Sequence, residues 1–164
     1  MTYEIKRTED SVEYIFNGVL DENALLDELV TDDKNIIFNF KFLDRCNSFG
    51  MIKWIKFLEN FDGYVKFTYK KLPPVIIDYL NFASGFLPKG AVVESALLPY
   101  HCEACANTTF LDFDLTVYID ASEALDKVVH ACERIENERA CSHCGEMAQL
   151  DINPRHSFAF LNRD

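Results

Sequence analysis

Two short motifs carry the clearest chemistry in this sequence, Cys102-Glu103-Ala104-Cys105 and Cys141-Ser142-His143-Cys144. In each, two residues separate two cysteines, so one tight turn can bring both sulfurs to a single ion. Two such pairs supply four thiolates, the full tetrahedral shell of a zinc site, with iron as the less expected occupant. Gly145, directly after the second pair, suits the turn of a knuckle. Four protein ligands leave no open position for a reacting water, so the expected metal is structural. A redox Cys-x-x-Cys usually occurs singly, at the start of a helix that follows a strand. Here two matched pairs stand 35 residues apart. That gap exceeds the roughly 15–20 residues of common zinc ribbons, so a strand and a helix are expected inside it.

The other residues with chemical potential are less grouped. His101 and His143 adjoin the cysteines but are not needed as ligands. Cys132 falls on an apolar helical stripe, where an inert, buried thiol is expected. Cys46 could act as a nucleophile, but no histidine lies near it in sequence. Next to it, Asn47-Ser48-Phe49-Gly50 places a hydroxyl at an expected helix start, where it would either cap the helix or face a partner. Asp112 and Asp114 sit one alternate step apart, as on a solvated strand face. The chain has no Gly-x-Gly-x-x-Gly, phosphate loop, Gly-x-Ser-x-Gly or His-Glu-x-x-His. We therefore expect no enzyme.

The elements that must position these residues follow from periodicity. Tyr3 to Arg7 and Val12 to Phe16 predict an antiparallel hairpin turning at Thr8-Glu9-Asp10-Ser11. Asn17-Gly18 breaks the pattern, and Val19-Leu20 predicts a short further strand. Asp21 is an expected cap for a helix carrying Leu25, Leu26, Leu29 and Val30. The apolar run Ile36 to Phe40 predicts a buried strand. Met51, Ile52, Trp54, Ile55 and Leu58 then predict an amphipathic helix over 49–60. Asp62-Gly63 predicts a turn, Val65, Phe67 and Tyr69 a strand, and Pro73-Pro74 the start of a helix through Phe82. Ala91 to Leu98 predicts one more strand. Alternation after an initial hairpin implies an α/β fold, a mixed sheet with helices packed on it. The expected boundary follows Leu98, giving a first unit over 1–98 and a small metal-binding subdomain over 99–164. In that second unit the pattern predicts a strand over 110–119 with Phe113, Leu115, Val117 and Ile119 on one face. A helix over 123–137 capped by Ser122 and a last strand over 157–161 follow.

Composition narrows the function classes. The 164 residues are 49% hydrophobic and 26% charged, enough to bury a core. A net charge of −11 argues against binding nucleic acid or an acidic membrane. Between Pro99 and Arg155 there are eleven acidic residues against four lysines and arginines, unlike a DNA-reading ribbon. The first residues contain no apolar leader, and no apolar run reaches the roughly 18 residues of a membrane span. A cytoplasmic protein with protein partners is expected.

The order of elements over residues 1–98 resembles the STAS family, the fold of bacterial anti-sigma-factor antagonists. The family signature is a buried strand, then Asp-Ser-x-Gly, then an amphipathic helix. Here Asn47-Ser48-Phe49-Gly50 follows the strand at Ile36 to Phe40, with asparagine in place of the family's aspartate and Phe49 in place of a small residue. The resemblance implies a regulatory module that binds a switch kinase acting as an anti-sigma factor. It makes Ser48 the candidate phospho-acceptor. The C-terminal cysteines read as a zinc-ribbon-like appendage. The expected function is thus a non-enzymatic, protein-binding regulator. A zinc-dependent adaptor, or a small-ligand sensor using the same core as scaffold, is the alternative.

Overall fold

The computed structural model describes residues 1–29, 33–61, 63–83, 85–116 and 126–162. Several expected features lie outside these residues: Val30 of the first stripe, Asp62 of the turn, Val117 and Ile119 of the strand, and Ser122 and Glu123 to Leu125 at the start of the helix. The fold is mixed α/β, with two sheets in the described residues.

The first sheet has five strands in the order β1-β2-β3-β4-β5. These are β1 (Thr2–Arg7), β2 (Val12–Leu20), β3 (Asn35–Cys46), β4 (Lys66–Lys70) and β5 (Val92–Val93). β1 and β2 form the expected antiparallel hairpin, and the remaining pairs are parallel. Alternation puts one face of each strand into the core. Tyr14, Phe38, Tyr69 and Val93 are register partners across four strands, and all are buried.

Two helices cover that face, α1 (Ser48–Leu58) and α2 (Pro74–Phe82). Trp54 of α1 is fully buried among Phe16, Phe38, Phe40 and Phe86. Its indole N–H donates to the Phe86 carbonyl and the Tyr69 hydroxyl at 3.2 and 3.3 Å. The ring therefore gains apolar burial without an orphaned donor.

Asn17-Gly18 does not end β2. The strand runs on through Leu20 with register shifts on either side, and Gly18 takes φ +91°. The break is a bulge within one strand, not a gap between two. The helix expected after Asp21 is a single 3-10 turn, Leu26–Leu29. Three residues per turn put Leu26 and Leu29 together in the core and leave Leu25 in solvent.

The second sheet has the order β7-β6-β9-β8 and is antiparallel throughout. Its strands are β6 (Ser95–Cys102), β7 (Asn107–Asp114), β8 (Glu138–Ala140) and β9 (Met147–Leu150). The single strand expected at Ala91 to Leu98 is two. Val92–Val93 pair with β4, and after Glu94 the chain turns into the second sheet, so its start at Ser95 falls before the expected boundary at Leu98. A parallel bridge between Leu72 and Ala96, with Leu97 N–H donating to Leu72 O at 2.8 Å, joins the sheets at this crossing. One apolar cluster runs through both.

Helix α3 (Lys127–Glu133) is capped by Asp126, whose side chain accepts from the Val128 and Val129 amides. The last strand expected at 157–161 is helical instead, α4 (Pro154–Ser157) followed by a 3-10 turn at Ala159–Asn162. Asn153 caps α4 and Pro154 opens it, a start signal that outweighs the alternation of Phe158 and Phe160. Asn81 of α2 donates to the Ser157 and His156 carbonyls at 2.8 and 3.2 Å, tying this end to the first unit. Among the described residues, no helix is long and apolar enough to cross a membrane.

Candidate functional site

The two cysteine pairs occupy the turns of two neighbouring hairpins. β6 ends at Cys102, and Cys105 precedes β7; Cys141 follows β8, and Cys144 precedes β9. Because β6 pairs directly with β9, both turns lie side by side. Each knuckle closes with a left-handed residue in the same place, Ala106 at φ 55° and Gly145 at φ 83°. In the second knuckle the Gly145 amide donates to the Cys141 carbonyl at 2.9 Å, and the His143 amide points at Cys141 Sγ at 3.4 Å.

All four sulfurs lie within 4.8 Å of one another. Cys102 and Cys144 are 3.5 Å apart, and Cys105 and Cys141 are 3.8 Å apart. A tetrahedron with metal–sulfur bonds of about 2.3 Å has edges of about 3.8 Å. A disulfide holds its sulfurs at about 2 Å, and all four cysteines are free thiols. Four close cysteines of this geometry suit a metal ion. Cys102 and Cys141 are buried, whereas Cys144 is exposed, so the cluster sits at the rim of the core.

The electrostatics of the cluster favour a cation. Hydrogen bonds from the side chain and amide of Asn107 pull the Cys105 thiol down to about 6. At Cys144 the Glu146 amide favours the thiolate, but Cys102 and Cys105 outweigh it and push the thiol up to about 12. One sulfur ionises readily, and the hydrogen bonds that its neighbour makes with the other sulfurs hold the neighbour's proton in place. A bound cation would take the place of those hydrogen bonds and draw the remaining protons off.

Both histidines beside the knuckles have other surroundings. His101 Nδ1 is 3.1 Å from Thr108 Oγ1 across the β6–β7 pair, and His143 is exposed. Cys132 is half-buried on α3, where burial raises its pKa above the ordinary thiol value. Burial likewise pushes the Cys46 thiol up to about 11, against the opposing effect of Tyr79. A thiol so protonated at neutral pH is a poor nucleophile.

The second site expected from sequence, Asn47 to Gly50, is the junction of β3 and α1. The helix is capped by Asn47, whose Oδ1 accepts from the Gly50 amide at 2.8 Å. Asn47 Nδ2 donates to Glu22 Oε2 at 3.2 Å, and the Asn47 amide reaches the Leu20 carbonyl at 3.1 Å. Ser48 is therefore not the cap. It is exposed, and among the described residues its hydroxyl makes no hydrogen bond. Gly50 packs on the end of β2. A Cβ there would lie 2.1 Å from the Leu20 carbonyl oxygen. Asn47 and Gly50 thus build the turn, and Ser48 and Phe49 project from it, with Phe49 67% exposed and Ile52 one turn on at 46%.

Sequence reasoning did not find β8 and β9, which bring the second knuckle beside the first. They are three and four residues long, and the buried Ala148 between exposed Met147 and Gln149 gives only a weak alternation. The chain was compared with protein-family models, with curated proteins and with solved structures, and none of them matches it.

Proposed function

We propose that the chain is a non-enzymatic regulatory protein-binding module resembling the anti-sigma-factor antagonists, acting in the cytoplasm. A STAS-like unit over 1–98 docks the partner, and a zinc-ribbon-like unit over 99–164 is held by a structural zinc on Cys102, Cys105, Cys141 and Cys144. The observation that carries this reading is the division of labour at the start of α1. Asn47 and Gly50 satisfy the backbone, which leaves the Ser48 hydroxyl and the Phe49 ring facing solvent. An exposed aromatic beside an exposed hydroxyl combines an apolar anchor with a modifiable group.

Phosphorylation of Ser48 would add about −1.5 to −2 charges at the first residue of the helix. The helix end tolerates that charge, because its free amides are the positive end of the dipole. A partner whose apolar surface covers Phe49 would not. The modification therefore releases the partner without unfolding the module, and an anti-sigma factor or switch kinase fits such a cycle.

The test is crosslinking and capture from the native cell with wild type, Ser48→Ala, Ser48→Asp and Phe49→Ala. The reading requires a partner held by wild type and Ser48→Ala, and lost from the other two. Capture that is indifferent to all three substitutions counts against it. The metal assignment is checked separately by elemental analysis: about one zinc per chain, lost in Cys102→Ser and in Cys144→Ser. Iron in place of zinc, or no metal after reducing purification, overturns it.

A further inference from the structure

A cavity of about 460 Å³ lies where the second sheet meets the first unit. Its apolar lining comes from three separate elements: Leu43 of β3, Pro73 and Pro74 at the start of α2, and Pro99 and Phe110 of the β6–β7 hairpin. Lys41, Asp44 and Asp151 add charge to it. Its size is within the range of pockets that hold ligands or anchoring side chains.

The construction of this cavity argues for a fixed shape. Three proline rings have no rotamer freedom to lose on contact. Pro99 is buried within an eight-residue strand, and Asp151 is fixed there by its amide, which donates to the Pro99 carbonyl at 2.9 Å. A rigid apolar surface lowers the ordering cost that binding must overcome. Phe110 is nevertheless 57% exposed, so one wall still offers most of a ring to an incoming group.

Charge selects the occupant. Asp44 and Asp151 outnumber Lys41 in the lining, and the whole chain carries −11. A positive segment is drawn in by that field, and a negative one is repelled. We infer that this cavity is a docking groove for a basic, apolar-bearing segment of a protein partner. Its apolar side chains lie against Pro73, Pro99 and Phe110, and its cationic groups reach Asp44 and Asp151. The surface is built partly from the hairpin that carries Cys102 and Cys105, and it stands independently of any role for Ser48.

The experiment uses the zinc-loaded full chain, with two labelled heptapeptides as probes. One alternates arginine with leucine, and the other alternates glutamate with leucine. Fluorescence anisotropy gives the affinity, and amide chemical shifts give the location. The arginine peptide should bind, shift the amides of Leu97, Thr108 and Asp151, and weaken as salt rises. The double variant Asp44→Asn/Asp151→Asn should lower its affinity about tenfold, the upper part of what two exposed charge pairs provide. Phe110→Ser should also lower it about tenfold by removing apolar contact. Both variants alter exposed side chains, and their circular dichroism should match wild type.

Equal binding of the glutamate peptide overturns the inference, as does arginine-peptide binding indifferent to both variants. So does the absence of binding. Groove amides that shift with protein concentration alone, without peptide, assign the surface to a second copy of the chain and overturn it too.

Discussion

Replacing Gly50 by alanine separates two opposing effects whose sizes can be worked out. Alanine is the better helix former, worth about 1 kcal/mol in a helix interior. Against this, the added Cβ would sit 2.1 Å from Leu20 O, 2.4 Å from Leu20 C and 2.8 Å from Asp21 N. All three are backbone atoms, so no side chain can swing aside. Relief to an ordinary carbon–oxygen contact of about 3.3 Å moves α1 away from β2 by about an ångström. Overpacking of this kind costs about 1–3 kcal/mol. The shift also stretches the Asn47 N–H to Leu20 O bond, now 3.1 Å, which is worth about 1 kcal/mol. The net expectation is a loss of about 2 kcal/mol, or about 4–8 °C in Tm for a chain of this size. Trp54 is the only tryptophan and is fully buried, so its fluorescence follows urea unfolding without a label. Gly63→Ala is the control, since nothing lies within 4 Å of its added Cβ, and it should be neutral or slightly stabilising. A Gly50→Ala protein as stable as wild type would refute the close approach of α1 to β2.

Three further outcomes follow from particular contacts. Asn47→Asp keeps an oxygen for the cap but sets a second carboxylate against Glu22, so it should lose up to about 1 kcal/mol, and Glu22→Gln added to it should restore that loss in urea melts. Gly145→Ala should destabilise the second knuckle by about 1 kcal/mol through its left-handed backbone, whereas Ala106→Gly should relieve the same strain in the first; competition with a chelator would rank the two variants on opposite sides of wild type. Cys46, with its thiol raised to about 11, should resist iodoacetamide at pH 8 in the folded chain and gain reactivity only as pH approaches that value, because the thiolate fraction falls tenfold for each pH unit below it; mass spectrometry of the alkylated peptide checks this, and rapid labelling at pH 7 would refute it.

What could be read from the sequence divides along the range of the forces involved. The ligand pairs were legible because a Cys-x-x-Cys turn is local, and so was the N-terminal hairpin, whose polar turn at Thr8 to Ser11 precedes a largely buried second strand. Ala91 to Leu98 reads as one strand because nothing within it marks the break between β5 and β6. Val93, Ala96 and Leu98 are all buried, but β4 covers the first part and β7 the second. The partner of a strand is a tertiary fact. Phe158 and Phe160 alternate as a strand would, but alternation over five residues also fits a short helical stretch, and the deciding cue lies upstream at Asn153-Pro154. At Asn47-Ser48 both residues are good caps, and the choice was settled by Glu22 and Leu20, which lie far back in the chain.

The crossing between the sheets decides how far the influence of a metal on the four sulfurs would reach. β6 begins against Leu72 of the first unit and ends at Cys102. On the way it passes Pro99, which lines the groove, and Tyr100, whose hydroxyl donates to the Glu136 carbonyl at 2.7 Å. β7 returns along it, with all eight residues in register from Asn107 opposite Cys102 to Asp114 opposite Ser95. At that end Asp112 pairs with Lys71 at 2.7 Å, and the Leu115 amide donates to the Glu94 carbonyl at 2.8 Å. The hairpin is thus held at its base by the first unit and carries half of the sulfur cluster at its tip. Without a cation the tip holds four free thiols, and the short strands β8 and β9 are left to their pairing with each other and with β6. If a metal occupies the four sulfurs, its removal should free the tip first and loosen the Phe110 wall of the groove, while the aromatic core around Trp54, on the far side of the crossing, should keep its packing and its fluorescence.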